Sequence, residues 1–206
     1  MAVVSGIKRM SHPYPNILIV MALPIENVAG ALDRFAEVLY TGVGKVNAAL
    51  HLTARLAQSR PDVVINVGSA GAHQRPTGAV VACTQFIQRD MDVTALGFAW
   101  GQTPFEAYNQ LDAPLPLSWQ ALSLPEAVCY TGDQFVTGPH PHFALDVVDM
   151  EGYALARVCQ HFAVPLVSIK YITDGADGQA ATEWEQALAQ ATTALVAVMA
   201  QWQGIA

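Results

Sequence analysis

Charge is scarce in this 206-residue chain: Asp, Glu, Lys and Arg together make up 13% of it. Cations are scarcer still, with ten Lys and Arg against 17 Asp and Glu and a formal net charge of −7. A chain so poor in cations has no electrostatic footprint for nucleic acid or for an acidic membrane, and neither is expected as a partner. A neutral or zwitterionic small molecule suits it better than a polyanion. Cysteine is limited to Cys83, Cys129 and Cys159. An odd count at wide spacing makes neither a disulfide framework nor a zinc pattern, so no metal is expected. Each cysteine reads as a small buried hydrophobe in a reducing compartment, and a cytoplasmic location is expected. No run of about 18 apolar residues occurs, so no membrane-spanning helix is expected. Repeats, low-complexity tracts and clear linkers are also missing.

Apolar residues, by contrast, make up 52% of the chain. That richness excludes disorder and suits an α/β domain whose strands are covered on both faces. The length fits one domain over residues 1–206, with 1–14 expected as a flexible extension. Lys8 and Arg9, the apolar run Ile17–Leu23 and the small residues Ala29-Gly30-Ala31 mimic a secretion signal. Pro24, Glu26 and Asn27 interrupt it, and the run has the length of a buried first strand.

The spacing predicts a strand over Asn16–Ala22, a helical turn opening at Pro24, and a short strand over Glu37–Thr41. After Gly42-Val43-Gly44 comes a helix with Val46, Ala49, Leu50, Thr53 and Leu56 on one face. Asp62–Val67 reads as a buried strand ending in Gly68-Ser69-Ala70-Gly71, a tight turn whose backbone can approach a ligand. Val80–Phe86, Ala127–Tyr130 and Pro165–Ile172 are further strands. Met150–Phe162 is a helix with Asp149 as its N-cap. The last helix opens on a capping box, Thr182 to Glu185, and faces a core through Trp184, Leu188, Ala191, Leu195, Val198 and Trp202. Strands alternating with helices imply a largely parallel sheet, which binds ligands beyond the carboxyl ends of its strands. Glu26, Ser69, Asp133 and Asp174 fall at such ends.

Glu26 follows the first strand, Asp174 follows Tyr171-Ile172-Thr173, and Glu151 opens a helix whose dipole favours an anion. Wound in the usual way, the chain brings all three to one cleft. Three carboxylates without a metal motif suit general acid–base work on a neutral substrate. Taken singly, Glu26 also reads as an ordinary first-turn acid, and Asp174 as a turn residue before Gly175. Gly44-Lys45 is not a P-loop, because Val46 stands where Ser or Thr is required.

Val63-Val64-Ile65-Asn66-Val67-Gly68-Ser69-Ala70-Gly71 resembles the strand-and-turn signature of the purine nucleoside phosphorylase/uridine phosphorylase superfamily. Further segments resemble its 5′-methylthioadenosine/S-adenosylhomocysteine nucleosidase branch. They are Ala22-Leu23-Pro24-Ile25-Glu26, Thr41-Gly42-Val43-Gly44-Lys45-Val46, Asp92-Val93-Thr94-Ala95-Leu96-Gly97, Thr131-Gly132-Asp133-Gln134-Phe135, Asp149-Met150-Glu151-Gly152 and Thr173-Asp174. Each is weak alone; the series, in family order from residue 16 to about residue 190, is specific.

The resemblance implies a mixed, largely parallel central sheet flanked by helices on both faces. It implies hydrolysis of the N-glycosidic bond of an adenine nucleoside, without a cofactor, in methionine salvage. Asp174 resembles the acid that protonates purine N7, and Glu26 the base that activates water. Met150 and Glu151 resemble the ribose-binding pair. Phe135 resembles the residue that stacks on adenine, with the Val136 backbone reading the purine edge. Ser69, Ala70 and Gly71 lie near the water and base. The family's homodimer implies that Leu96, Phe98 and Pro104 cap the partner's pocket. Alternatives are a futalosine-type hydrolase, a phosphate-dependent phosphorylase and an inactive nucleoside binder. No arginine lies between Arg9 and Arg34, where a phosphorylase needs one, and Glu26 there repels phosphate. Three departures stand out: few residues separate the first helix from the Gly42-Val43-Gly44-Lys45 loop, where the family usually has an extra hairpin; the segment from Asp133 to Glu151 is short and carries Pro139-His140-Pro141-His142, histidines expected to be exposed; and Lys170 replaces a frequent arginine.

Overall fold

Aliphatic runs with no polar alternation make strands that must be covered on both sides, and such strands build the centre of this protein. The computed structural model describes residues 14–106 and 110–204. The extension expected over 1–14 lies, apart from Tyr14, outside them. Strands β1 (Ile17–Met21), β2 (Glu37–Tyr40), β3 (Val63–Gly71), β4 (Val80–Gln88), β5 (Leu111–Asp112), β6 (Glu126–Thr131), β7 (Val147–Asp149) and β8 (Leu166–Asp174) form one mixed sheet. Helices α1 (Lys45–Gln58), the single turn α2 (Leu117–Gln120), α3 (Gly152–Phe162) and α4 (Ala180–Trp202) connect and cover it.

The strand order is β2-β1-β3-β7-β6-β4-β5, and β8 pairs with both β3 and β4. Five strands, β3, β7, β6, β4 and β8, therefore close into a barrel-like ring. The β1–β2, β1–β3, β3–β8, β4–β6 and β6–β7 ladders are parallel; β3–β7, β4–β5 and β4–β8 are antiparallel. The sheet is thus mixed and mostly parallel, as expected, but the ring is a feature that alternation of strands and helices does not foretell.

Alternate residues of each strand feed two cores. Leu18 and Val20 of β1 join Leu52, Leu56, Leu155 and Cys159 from α1 and α3. Ile19 and Met21 join Leu195, Met199 and Trp202 from α4, where Trp202 stacks on Trp119 at 4.4 Å between ring centroids. Helices therefore lie on both faces. All three cysteines are free and buried. The run that mimicked a secretion signal is β1, paired on both sides.

Four expectations need correction. Gly68-Ser69-Ala70-Gly71 is not a turn but the end of β3, because β8 pairs alongside it as far as Asp174. Its glycines serve close approach: a Cβ on Gly71 would stand 2.6 Å from Asp174 Oδ1. Helix α1 buries Ala48, Leu52 and Leu56 instead of the wider stripe, leaving Val46 and Leu50 77% and 61% exposed. Its inward face packs on α3, and small Ala48 permits the approach. Helix α4 starts at Ala180, ahead of the expected capping box; Gln179 is the N-cap with no side-chain hydrogen bond, and Thr182 and Glu185 are exposed. Asp149 ends β7, and Glu151 holds the N-cap position of α3, yet Asp149 Oδ2 still accepts from Gly152 N at 2.9 Å.

Candidate active site

The carboxyl ends of β1, β3, β7 and β8 meet around a cavity of about 240 Å³. Glu26, Ser69, Ala70, Gly71, Phe135, Val136, Met150, Glu151 and Asp174 all line it. The three carboxyl groups separated by up to 148 positions in sequence thus share one space.

Pro24 opens a short 3-10 turn after β1, and the turn ends on Glu26. The side chain is buried. Its Oε1 accepts from Ser69 N at 3.0 Å and from Ser69 Oγ at 2.6 Å. Its Oε2 accepts from Leu23 N at 3.2 Å. The Trp184 indole N–H, on the first turns of α4, donates to Ser69 Oγ at 2.8 Å. Farther along α4, Thr192 Oγ1 donates to the Glu26 carbonyl at 2.8 Å.

Glu151 is held from the opposite side of the chain. Its Oε1 accepts from Gly44 N at 2.8 Å. Gly44 has φ +93°, a left-handed conformation that glycine adopts without strain, and so the β2–α1 loop can aim this N–H. Burial, helped by the Asp149 charge and by Glu26, pushes the Glu151 carboxyl up to about 7, against the pull of Lys170 and the Gly44 N–H. Lys170 Nζ lies 2.9 Å from Asp149 Oδ2, and both are buried. Burial works against the Lys170 charge, but Asp149 and the neighbouring acidic groups outweigh it and hold the ammonium above its usual range. Burial likewise raises Asp149, while Lys170 and the Thr131 hydroxyl, at 2.6 Å, pull it below the usual carboxylate range.

Asp174 closes β8. Its Oδ2 accepts from Thr173 Oγ1 at 2.8 Å and its Oδ1 from Ala176 N at 2.9 Å. Burial raises its carboxyl above the ordinary range despite these donors, and Glu183 and Asp177 raise it further. Glu183, on the first turn of α4, accepts from Gly175 N at 3.2 Å.

Phe135 stands 49% exposed at the rim. Val136 packs toward Leu145 and Val148. The buried Arg89 guanidinium holds the turn that presents them, donating to Gly132 O at 3.2 Å and to Gln134 O. A Cβ on Gly132 would stand 2.7 Å from Arg89 Cζ, so any larger residue there would push the guanidinium out of its place. Arg89 was missed in the sequence; a lone cation directly after the apolar strand β4 was its only signal. Asp133, expected near the ligand, is absent from the cavity lining: it accepts from Lys45 N at 2.8 Å and sits 3.6 Å from Lys45 Nζ, tying the β2–α1 loop down. Leu96, Phe98 and Pro104 do not line this chain's cavity. Leu96 is 72% exposed, and Phe98 meets Phe105 edge-on at 5.5 Å. His142 stacks on Trp100 at 3.9 Å, with His140 edge-on to the same indole at 5.7 Å. His142 is exposed, as expected, and His140 is half-buried. Among the described residues no group of three or more His, Cys, Asp or Glu is arranged to hold a metal.

Residues 30–201 match the phosphorylase superfamily. The 5′-methylthioadenosine/S-adenosylhomocysteine nucleosidase of Anoxybacillus flavithermus is 36% identical over 181 residues, covering 79% of this chain and 78% of that protein. The enzyme of the same name from Bacillus thuringiensis is 36% identical over 170 residues, 74% of each chain. Among solved structures, the Streptococcus pneumoniae MTA/SAH nucleosidase in complex with 8-aminoadenine has a TM-score of 0.77 at 26% identity, covering 89% of this chain and 97% of that one. A Helicobacter pylori MTAN mutant with 5′-methylthioadenosine in its active site shares the fold, with a TM-score of 0.82 at 24% identity over 91% of this chain and 97% of that one. A futalosine hydrolase mutant from Helicobacter pylori shares it too, with a TM-score of 0.78 at 24% identity over 90% and 98%. The fold alone therefore does not separate these substrates, but the sequence identity to the curated enzymes does assign the branch: the chain belongs to the 5′-methylthioadenosine/S-adenosylhomocysteine nucleosidase family of the phosphorylase superfamily.

Proposed function

We propose that the protein hydrolyses the N-glycosidic bond of an adenine nucleoside such as 5′-methylthioadenosine, S-adenosylhomocysteine or 5′-deoxyadenosine, with Asp174 as acid and Glu26 as base. One observation carries this reading: Glu26 and Asp174, 148 positions apart in sequence, face one cavity. Asp174 is held toward its neutral form by burial. Glu26 is fixed in place by donors at both oxygens, Leu23 N on one and Ser69 N and Oγ on the other. The C1′–N9 bond breaks with its electron pair going to the purine, and Asp174 delivers a proton to N7. Glu26 takes a proton from water as the water oxygen bonds C1′. Glu151 accepts from the ribose hydroxyls beside Met150, and its charge steadies the cationic sugar. Phe135 stacks on the base, and the Val136 backbone meets its edge. Ser69, Ala70 and Gly71 supply the wall beside the water.

Hydrolysis fits better than phosphorolysis. Of the two cations on the cavity wall, Lys170 is engaged by Asp149, and Arg89 donates through Nη2 to two backbone carbonyls, with its buried Nε left without a partner among the described residues. A homodimer is part of the reading, with the Leu96–Pro104 segment approaching the partner's cavity. The exposed Leu96 and Phe105, and Val46 and Leu50 one turn apart on α1, support it. The two cores, each drawing on elements from β1 onward, support one domain, and the reduced cysteines support a cytoplasmic setting.

The test is release of free adenine from a nucleoside panel, with and without phosphate. Adenine and free sugar are expected without phosphate. Strict phosphate dependence, or turnover of futalosine-type compounds alone, overturns the reading. Glu26→Gln cannot accept the water's proton, and turnover should fall about a hundredfold or more in folded protein.

A further inference from the structure

A tryptophan on the last helix reaches into the hydrolytic side of the cavity. Trp184 lines that cavity, half-buried, although its spacing in the sequence sets it on a core-facing stripe. Its indole N–H donates to Ser69 Oγ at 2.8 Å, and Ser69 Oγ donates to Glu26 Oε1 at 2.6 Å. An indole nitrogen can only donate. The hydroxyl between them therefore has one polarity available: it accepts from Trp184 and gives its proton to Glu26. Without the indole, that hydroxyl is free to rotate and to offer its lone pairs instead.

We propose that Trp184 is a positioning residue for the water-activating base, fixing the Ser69 hydroxyl as a donor to one oxygen of Glu26 and so reserving the other oxygen for water. The proposal rests on Glu26 being the base. Oε1 receives both Ser69 donors, while Oε2 has a single, longer bond from Leu23 N at 3.2 Å. A chain of hydrogen bonds pointing one way polarises its members in the same sense, and so the indole also strengthens the Ser69–Glu26 bond. The same helix grips Glu26 a second time, since Thr192 Oγ1 donates to its carbonyl at 2.8 Å and accepts from Val28 N at 3.2 Å. The registry of α4 thus sets both the backbone and the carboxylate of Glu26.

A double-mutant cycle tests this. Trp184→Phe keeps an aromatic ring and removes the donor; kcat should fall about tenfold, with KM within about twofold of the parent, as for loss of one functional hydrogen bond. In a Ser69→Ala background the same substitution should change kcat less than about twofold, because the hydroxyl it orients is gone. Replacing Trp184 by benzothienylalanine, in which sulfur stands where the N–H stood, keeps the bicyclic shape and should reproduce the loss even if the phenylalanine ring packs poorly. An unchanged kcat in both variants, or an equal fall with and without Ser69, overturns the proposal. Glu26→Gln, measured alongside, separates the two ideas: near-normal hydrolysis by that variant removes the base itself, whereas an inactive Glu26→Gln with additive Trp184 and Ser69 effects removes only the role of Trp184.

Discussion

Replacing Asp174 by Asn separates the proton from everything else that the side chain does. Asn Oδ1 keeps the bond from Ala176 N, now 2.9 Å. Asn Nδ2 then faces Thr173 Oγ1, whose proton can turn to Ala70 O, already 3.3 Å away, so that the hydroxyl accepts instead. Both polar partners survive, and the cost in folding free energy should stay within about 1 kcal/mol. The amide can donate a hydrogen bond to N7 but cannot transfer a proton. Loss of general acid catalysis is worth about a hundredfold to ten-thousandfold in rate, or about 3–5 kcal/mol of barrier. Kinetic damage should therefore exceed structural damage several times over. Adenine release measured by absorbance, thermal unfolding, and calorimetric titration with 5′-methylthioadenosine give the three numbers. Turnover within about tenfold of the parent, in folded protein, refutes the assignment of the acid. A loss of binding as large as the loss of turnover refutes the separation.

Glu151→Gln should weaken nucleoside affinity and turnover together, since one group serves both the ribose and the cationic sugar; a fall in kcat alone refutes that role. Glu151 also makes a pH prediction for the unliganded protein. Its folded value of about 7 lies above the ordinary 4.5, so the folded state holds the proton more tightly. The stability this confers is complete below about pH 4.5 and is lost as pH rises through about 7, a change of up to about 3 kcal/mol. Urea unfolding of parent and Glu151→Gln at several pH values checks it, and identical pH profiles count against it. Lys170→Met strands the buried Asp149 and should cost about 3–5 kcal/mol, with Asp149→Asn in the same chain restoring part of it. If Lys170→Met alone is neutral by denaturant titration, the pair is not what secures that wall. Leu96→Glu should weaken self-association in sedimentation and raise KM; a parent protein that is monomeric and fully active rules out the shared pocket.

What could be read in the sequence depended on whether the signal was local. The strand before Glu26 is a run of apolar residues, and the strand ending at Asp174 carries Leu166, Val167, Ile169 and Ile172 among its polar residues, so that both read as buried strands from local composition. Gly68-Ser69-Ala70-Gly71 misleads because small residues favour turns when considered alone; pairing with β8, about a hundred residues later, overrides that preference. The stripe on α1 misleads because the helix is apolar on more of its circumference than this chain covers, with Val46 and Leu50 left outside. Arg89 gave only the faint signal of a lone cation after β4, and the indole of Trp184 gave none as a hydrogen-bond donor. Their roles depend on which atom a long side chain brings to a distant carbonyl or hydroxyl, and no spacing rule encodes that.

The ring also has a consequence for how the protein is made. Strand β8 enters between β3 and β4, yet it follows both of them, and every other described strand, in the chain. A nascent chain ending before Leu166 already carries β3 and β4, each with an edge of backbone N–H and C=O groups that β8 has yet to pair. Uncovered edges of this kind are where chains pair with one another instead of with themselves. Closure must then span from β3 to β8, a long stretch of sequence, so it is the step expected to set the pace of folding. Asp174 is the final residue of that closing strand. The chain therefore acquires its proposed acid in the same event that removes its exposed edges.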